Sequence, residues 1–308
     1  MEYIRAVTHN IGLSTKVVQD RPIREAAEIA SQVGYTGLEI FGVLNHLPLD
    51  TTVERGREYR RLFDDLGLRT ITICSYVGGF AEGSDAEAER EIAAFRHYLA
   101  LADVLGCSMV RLWGDRLGRS IVQPRDDHFS RAAHYLARCA DLAAESGARV
   151  LLENHLAMTI SVDMTLRLLR AIDRPNVVVN FDPGNMYLAG EACGTAETLR
   201  LRPHIGNVQV KEVARGVAST AAQSGHPTSP ATIDATLSRG GTYEVLLGEG
   251  TLDHLAYLRP LAATSYDGFY MVECHRTPDA AWPSDRIAAY EHRALSELLD
   301  RATGAAHR

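Results

Sequence analysis

The stretch from Asn176 to Asn185, NVVVNFDPGN, constrains the fold of this chain more than any other feature of its sequence. It begins with consecutive β-branched apolar residues and lacks the alternation of polar and apolar residues shown by a strand with one wet face. Such a run is typical of a parallel strand that is buried on both faces. It ends at Asp182-Pro183-Gly184, which is a turn sequence. The stretch therefore predicts a covered parallel sheet in which one strand presents a carboxylate at its carboxyl end.

Similar apolar runs alternate with amphipathic helical segments along the chain. The segment after Pro22 and the segment from Asp85 to Leu105 are helical in pattern, and each is followed by a glycine that ends it. Alternation of strands and helices indicates a parallel sheet, and eight such units in 308 residues favour a closed barrel. An open doubly wound sheet would need a glycine-rich turn after its first strand, which THNIGLST does not supply. We predict an α/β fold, a single (β/α)8 TIM barrel domain spanning residues 1–308.

One connection breaks this alternation. About forty residues rich in Gly, Ser, Thr and Ala separate Gln209, on the seventh strand, from the next helix, predicted to begin at Thr251. Loops of this length are usually functional or disordered. We expect a long insertion after strand seven that acts as a lid or an interface element, and an insertion without a role stays open as the alternative.

The bulk composition excludes several classes of function. The net charge of −7 gives no basic footprint for nucleic acid, and no apolar run has the roughly 18 residues of a membrane span. The amino terminus shows no signal-peptide pattern. The five cysteines are scattered and form no C-x-x-C pair, which favours free thiols in a reducing compartment. We predict a cytoplasmic protein with no nucleic-acid or membrane partner.

Four oxygen-bearing side chains fall at the ends of four successive buried strands: Glu153, Asp182, Gln209 and Glu273. The carboxyl ends of barrel strands meet at one face, where the active sites of this fold lie. Oxygen donors without cysteine or clustered histidine suit Mn2+ or Mg2+. Each residue alone could serve a turn, a helix cap or the core. Their equivalent positions on four strands together predict a divalent-cation site.

Further residues are candidates for substrate binding. His155 follows the first predicted ligand by two residues and could contact substrate or hydrogen-bond a metal carboxylate. Lys211, on the same side of strand seven as the predicted amide ligand, could polarise a carbonyl or pair with a carboxylate. Trp113 and His9, assigned to the ends of strands four and one, could contact substrate at the mouth or simply pack there. Two charged residues are predicted to be partnered inside the barrel rather than catalytic: Glu39 and Arg111.

Six spaced motifs resemble the sugar phosphate isomerase/epimerase superfamily of xylose-isomerase-like TIM barrels: GLEIFG, LLENH, NFDPGN, NVQVKE, LLGEG and MVECH. The resemblance implies metal ligands Glu, Asp, His and Glu on strands five to eight. Here Gln209 stands where most members have His, and hydroxypyruvate-isomerase-like members are similar in using an amide there. The resemblance also implies that Arg215 holds substrate. Asn185 replaces the substrate-binding His of the epimerases.

The resemblance implies a reaction as well as a metal. A cation that chelates a carbonyl and its neighbouring hydroxyl lowers the free energy of an enediolate. Glu153 and Glu273 would exchange protons with substrate, while Asp182 and Gln209 would serve only as ligands. The predicted function is a divalent-metal-dependent isomerase or epimerase of a keto sugar or sugar-like polyol. The alternative is a lyase that uses the same enolate, of the inosose dehydratase or C-glycoside deglycosidase type.

Two hypotheses from other classes remain. A DNA-repair nuclease of the endonuclease-IV type would hold three zinc ions with several histidines. The acidic charge, and the strand ends Cys74-Ser75-Tyr76 and Trp113-Gly114-Asp115, disfavour that hypothesis. A barrel without catalytic activity stays open, because a fold does not determine a function. The expected partners are a small carbohydrate substrate and either a second copy of the chain or a small partner subunit.

Overall fold

A closed barrel of eight parallel strands forms the centre of the computed structural model, which describes residues 9–42, 45–115, 123–215, 242–274 and 282–304. The order around the barrel is β1-β10-β7-β6-β5-β4-β3-β2. The predicted (β/α)8 barrel is therefore confirmed. The barrel strands are β1 (Ile11–Ser14), β2 (Gly37–Phe41), β3 (Arg69–Cys74), β4 (Met109–Leu112), β5 (Arg149–Glu153), β6 (Val177–Phe181), β7 (Ile205–Val210) and β10 (Tyr270–Val272).

Helices cover the outside of the barrel. They are α1 (Ile23–Val33), α2 (Val53–Asp65), α3 (Asp85–Leu105), α4 (Asp126–Glu145), α5 (Leu156–Thr159), α6 (Val162–Ile172), α7 (Pro183–Leu188), α8 (Thr195–Leu201), α9 (His254–Ala263) and α10 (Ser284–Thr303), with 3-10 turns at Thr15–Val18 and Arg202–His204. The bounds of α3 agree with the sequence prediction. The short α5 and α7 were not predicted, because one or two turns are too short to show a helical period. None of the helices in the described ranges is both long and apolar enough to cross a membrane.

Local sequence signals explain where the long helices begin and end. Ser84 accepts a hydrogen bond from the backbone N–H of Glu87, and the Glu87 side chain accepts one from the backbone N–H of Ser84, so that a capping box starts α3. Gly106 ends α3 with φ 66°, in the left-handed region that glycine adopts without strain. All five cysteines are free thiols, as predicted, and four of them are buried.

The two ends of the insertion after β7 pair with each other as an antiparallel hairpin. Strand β8 (Glu212–Arg215) pairs antiparallel with β9 (Thr242–Val245) to form a separate two-stranded sheet. The sequence prediction assigned no strands here, because it took the segment from the seventh strand to Thr251 as one irregular connection. Residues 216–241, the central part of the predicted lid, lie outside the described residues.

Glu212 holds the base of this hairpin to the barrel. Its carboxylate accepts hydrogen bonds from the backbone N–H groups of Val213, Gly248 and Leu252 at 3.0 to 3.2 Å. Its Oε2 also lies 3.0 Å from Nε2 of His254, at the first residue of α9. These contacts lower the pKa of Glu212 even though burial acts in the opposite direction. One buried anion therefore fixes β8, the turn after β9 and the start of α9 to each other.

Glu291 is a second buried carboxyl, and it makes stability depend on pH. It is fully buried on α10 and accepts a hydrogen bond from the backbone N–H of Leu247 at 3.1 Å. Burial raises its pKa to about 8. Because the folded pKa exceeds the unfolded value of 4.5, this group's stabilisation is complete below about pH 4.5 and is lost as the pH rises through about 8.

We expect Glu291→Gln to flatten this dependence, because the amide keeps an acceptor oxygen for Leu247 and does not ionise. Between about pH 5 and 8 the wild type should lose up to roughly 1.4 kcal/mol of unfolding free energy per pH unit relative to the variant. Urea denaturation across this range measures the difference. Glu297→Gln, at an exposed position of the same helix, is the control. Parallel pH profiles for wild type and Glu291→Gln would contradict the assignment.

Candidate active site

Three of the four predicted metal ligands meet at the carboxyl end of the barrel. Glu153 ends β5, while Asp182 and Glu273 directly follow β6 and β10. Each presents an oxygen, and these oxygens lie within 4.8 Å of one another. The three side chains are between 0% and 2% exposed, so they form a buried cluster rather than a solvated acidic surface.

Gln209, the fourth predicted ligand, is fully buried on β7. Its Nε2 donates a hydrogen bond to Oε1 of Glu39 at 2.8 Å. Its Oε1 has no hydrogen-bond partner among the described residues, which is uncommon for a buried amide oxygen. The amide therefore keeps its oxygen available, which is the atom that a hard divalent cation would bind. Glu39, which Asn207 also contacts, has the interior hydrogen-bonding role that the sequence predicted.

The two carboxylate oxygens of Asp182 have different partners, a backbone N–H group and a side chain of the site. Its Oδ1 accepts a hydrogen bond from the backbone N–H of Asn185 at 3.0 Å, so it caps α7 while Pro183 occupies the first helical position. The side chain of Asn154 bonds both the backbone N–H and the carbonyl of Asp182. The turn sequence DPGN thus fixes the backbone, while Oδ2 remains directed to a cation, Lys211.

Lys211 and Lys16 surround Glu273. The Nζ atom of Lys211 lies 2.9 Å from Oδ2 of Asp182 and 3.2 Å from Oε2 of Glu273. The Nζ atom of Lys16 lies 3.6 Å from Oε1 of Glu273. Burial acts to raise the pKa of Glu273, but the two lysines and Arg111 outweigh it and lower that pKa to about 2. Glu273 is therefore an anion, and a weak base, throughout the neutral pH range.

Sequence analysis did not identify Lys16. The run YIRAVTHNIG predicts a first strand that ends at Gly12, whereas β1 is Ile11–Ser14 and Lys16 lies in the 3-10 turn that follows it. The sequence has no signal that marks this later strand end. The same shift removes His9 from the site. His9 precedes β1, and its Nε2 lies 2.9 Å from Oδ1 of Asp300 on α10, so it has a structural partner away from the cluster of Glu153, Asp182 and Glu273.

Arg111 and Trp113 hold Glu153. The Nη1 atom of Arg111 lies 3.2 Å from Oε2 of Glu153, and the indole Nε1 of Trp113 donates a hydrogen bond to the same oxygen. The Trp113 ring stacks on His155 at 5.2 Å between centroids. The interior pairing predicted for Arg111 is therefore observed. Trp113 is buried and contacts both the carboxylate of Glu153 and the ring of His155.

His155 is a neutral base candidate beside Trp113. Burial lowers its pKa to about 4, so the imidazole is uncharged at neutral pH. Its Nδ1 has no hydrogen-bond partner in the part of the chain that the structure describes. Among the other predicted substrate-binding residues, Asn185 is buried beside Asp182, and its Nδ2 is likewise unpartnered there. Arg215 ends β8, and its side chain lies outside the described part of the structure.

Comparison with known proteins agrees with this architecture. Residues 27–298 match the family model described as the xylose isomerase-like TIM barrel. The chain belongs to this family. The resemblance to the sugar phosphate isomerase/epimerase superfamily is thereby confirmed.

Within the xylose isomerase-like family, relatives differ in their chemistry. The inosose dehydratase of Glaesserella parasuis serovar 5 (strain SH0165) is 26% identical over 264 residues, which cover 81% of each chain. The structure of an L-ribulose 3-epimerase superimposes with a TM-score of 0.74 at 18% identity, covering 97% of each chain. The structure of the IOLI protein with a binding zinc atom gives a TM-score of 0.75 at 15% identity, covering 95% of this chain and 99% of that one. The two structural similarities establish the fold alone.

The first prediction from this site concerns the ligand set. Asp182→Asn and Glu153→Gln should lose bound divalent ion, because an amide replaces a charged ligand. Gln209→His should retain the ion and Gln209→Leu should lose it, since imidazole supplies a ligand atom and an alkyl chain does not. Elemental analysis of the dialysed proteins, with circular dichroism to verify folding, measures this. Equal metal content in all four variants would contradict the assignment.

The second prediction concerns Lys211, whose ammonium group lies against two of the ligands. A bound cation would compete with this charge for the same oxygens. Lys211→Met should therefore bind Mn2+ at least about tenfold more tightly, whereas Lys211→Arg, which keeps the charge, should stay near the wild type. Calorimetric titration with Mn2+ distinguishes them. Weaker binding by Lys211→Met would show that the lysine supports the ion instead.

Proposed function

We propose that this protein is a divalent-metal-dependent lyase of the dehydratase type that acts on a keto polyol or keto sugar. It removes a carbon-bound proton next to the carbonyl and then expels the hydroxyl group on the following carbon. The observation that carries the proposal is the buried cluster of Glu153, Asp182 and Glu273, with Lys16 and Lys211 around its third member. The similarity to an inosose dehydratase over 81% of the chain supports it.

The donor set fits a divalent cation. Glu153, Asp182, Gln209 and Glu273 would hold it, and the unpartnered oxygen of Gln209 is the observation that tests the fit. When bound, the ion would withdraw electron density from the substrate carbonyl and stabilise the enediolate. An oxygen-only set suits Mn2+ or Mg2+, although the related IOLI structure has zinc.

Side chains of the protein carry out the proton transfers. Glu273 is held by two ammonium groups, so it is a poor proton acceptor. His155 is neutral and its Nδ1 is unpartnered among the described residues, so it can take the proton from carbon. It then gives that proton to the departing hydroxyl as the carbon–oxygen bond breaks and a carbon–carbon double bond forms. The product is an unsaturated ketone and one water.

Lys16 and Lys211 assist this step as charged hydrogen-bond donors. Burial acts to lower the pKa of each, but Tyr76 and Glu273 raise the pKa of Lys16, and the neighbouring carboxylates raise that of Lys211, so both ammonium groups persist at neutral pH. Their positive charge would stabilise the negative charge that develops on substrate oxygens. Trp113 backs His155 with an apolar ring and excludes water from that side.

Isomerisation or epimerisation is the second candidate function, and one observation favours it. Glu153 ends β5 and Glu273 follows β10. These strands are not neighbours in the barrel, so the two carboxylates approach the site from different sides. A proton taken on one face could then be returned on the other or at a neighbouring carbon. In that reaction Glu153 and Glu273 would exchange protons, and His155 would only orient substrate.

Incubation of the Mn2+-loaded protein with an inosose and with keto sugars in D2O tests the proposal. Elimination gives a product lighter by one water, whereas epimerisation gives a product of unchanged composition that carries deuterium on carbon. Mass spectrometry distinguishes them. Neither product nor exchange from any of these substrates would contradict the proposed function.

Variants separate the two mechanisms. Under elimination, His155→Gln should retain the ion and slow formation of the dehydrated product by roughly 10²- to 10⁴-fold, because it removes the proton acceptor. Under epimerisation, Glu273→Asp should cause the larger loss, since it withdraws the carboxylate by one methylene. His134→Gln, at an exposed position on α4, is the control for loss of a histidine. Formation of the dehydrated product at the wild-type rate by His155→Gln would show that His155 is not the proton acceptor.

A further inference from the structure

The opposite end of the barrel contains a cavity that the proposed reaction does not use. It has a volume of about 350 Å³ and opens among the amino-terminal ends of β3, β4 and β5. The metal cluster lies at the carboxyl ends of the strands, so the two sites are at opposite mouths of the barrel. The residues that give this cavity its chemistry are Arg60, Asp64, Arg69, Thr70, Ser108 and Arg149.

Three arginines and one aspartate give the cavity a positive charge. Arg60 is neutralised, because its Nε lies 2.8 Å from both carboxylate oxygens of Asp64. It is also fixed, since its Nη1 donates a hydrogen bond to the carbonyl of Leu105 at 3.0 Å. A side chain at Gly106 would displace this guanidinium. The remaining positive charge belongs to Arg69 and Arg149.

Arg69 and Arg149 lack anionic partners within the described ranges, where no carboxylate lies within 4.0 Å of either guanidinium. Arg69 rests on the ring of Phe269, with Cζ 4.9 Å from the centroid. Arg149 directs its Nη2 to the sulfur of Met109 at 3.3 Å, and a thioether is a weak acceptor for a charged donor. Two guanidinium groups beside one cavity thus keep most of their hydrogen-bonding capacity.

Thr70 gives an independent indication of a ligand. It borders the cavity and is 8% exposed, yet its hydroxyl has no hydrogen-bond partner among the residues that the structure describes. A buried hydroxyl without a partner is uncommon. This hydroxyl is therefore available to donate to an acceptor bound in the cavity.

We infer that the amino-terminal mouth of the barrel binds the phosphoryl group of a small molecule or free phosphate. Planar guanidinium groups pair with phosphate oxygens through two parallel hydrogen bonds, and two arginines with one hydroxyl match its several acceptors. The cavity volume falls within the range of small-molecule sites, at its lower end. The positive charge excludes metal cations, and a neutral sugar would leave both guanidinium groups unpaired. This site is independent of the proposed catalytic function.

Calorimetric titrations of the full chain with inorganic phosphate and with ribose 5-phosphate, at constant ionic strength, test the inference. Saturable binding of either probe is expected. Tighter binding of ribose 5-phosphate would indicate an organic phosphate as the ligand, and equal binding would indicate free phosphate. No saturable binding of either probe at millimolar concentration would overturn the inference.

Variants of the residues that border the cavity test whether phosphate binds there. The double variant Arg69→Gln/Arg149→Gln should weaken phosphate binding at least about tenfold, because charge-assisted hydrogen bonds are lost. Ser108→Glu, at an exposed position that borders the cavity, should weaken it as strongly by adding a negative charge while both arginines remain. Arg57→Gln, at an exposed position on α2, is the matched control and should bind as the wild type does.

Binding at the catalytic mouth is the alternative that these variants must separate. Lys16→Met removes a cation of the metal cluster and should leave phosphate binding unchanged. Loss of binding in Lys16→Met, together with normal binding in the double arginine variant, would overturn the inference. The experiment does not depend on turnover, so failure of the dehydratase assay would not affect its outcome.

Discussion

The burial of six charged side chains at one end of the barrel is the constraint on which the rest of the site depends. Three are carboxylates and three are cations: Glu153, Asp182, Glu273, Lys16, Lys211 and Arg111. An unpaired buried charge would cost several kcal/mol, so each must be close to a compensating group. The ion pairs from Lys211, Lys16 and Arg111 to the ligand carboxylates supply this compensation. The same pairs decide which groups are free to accept a proton.

Because of these ion pairs, the groups that would bind a cation differ from the group that would accept a proton. Among the carboxylates that would bind a cation, Glu273 is stabilised as an anion and is a weaker base than an ordinary glutamate, whereas burial raises the pKa of Asp182 to about 6. The uncharged His155 lies outside the ion pairs and stacks on Trp113. A barrel that had only the carboxylates would have to use the same groups as ligands and as bases. In this chain the stacked imidazole offers a second kind of group, which is why elimination with one acid–base residue is the proposed reaction.

The sequence predicted the parts of this arrangement that are set by strand position. Buried strands deliver their end residues to one face, so Glu153, Asp182 and Glu273 could be assigned together before any geometry was known. Lys16 could not, because its place depends on where β1 begins, and a run such as YIRAVTHNIG does not mark that start. The hairpin of β8 and β9 was also missed, because its strands pair with each other across a long separation in sequence rather than with the barrel. The substrate-binding role of Arg215 and the lid remain predictions.

The pairing of β8 with β9 affects how readily the length of the insertion can change. Arg215 and Thr242 are already partners in the hairpin register, and Glu212 ties that hairpin to α9. The ends of the intervening chain are therefore brought together by contacts that do not involve it. Doubling the length of such a loop costs only about 0.6 kcal/mol in closure entropy. The length or sequence of the segment between Arg215 and Thr242 can thus change at little cost in stability, while the cluster of Glu153, Asp182 and Glu273 keeps its geometry.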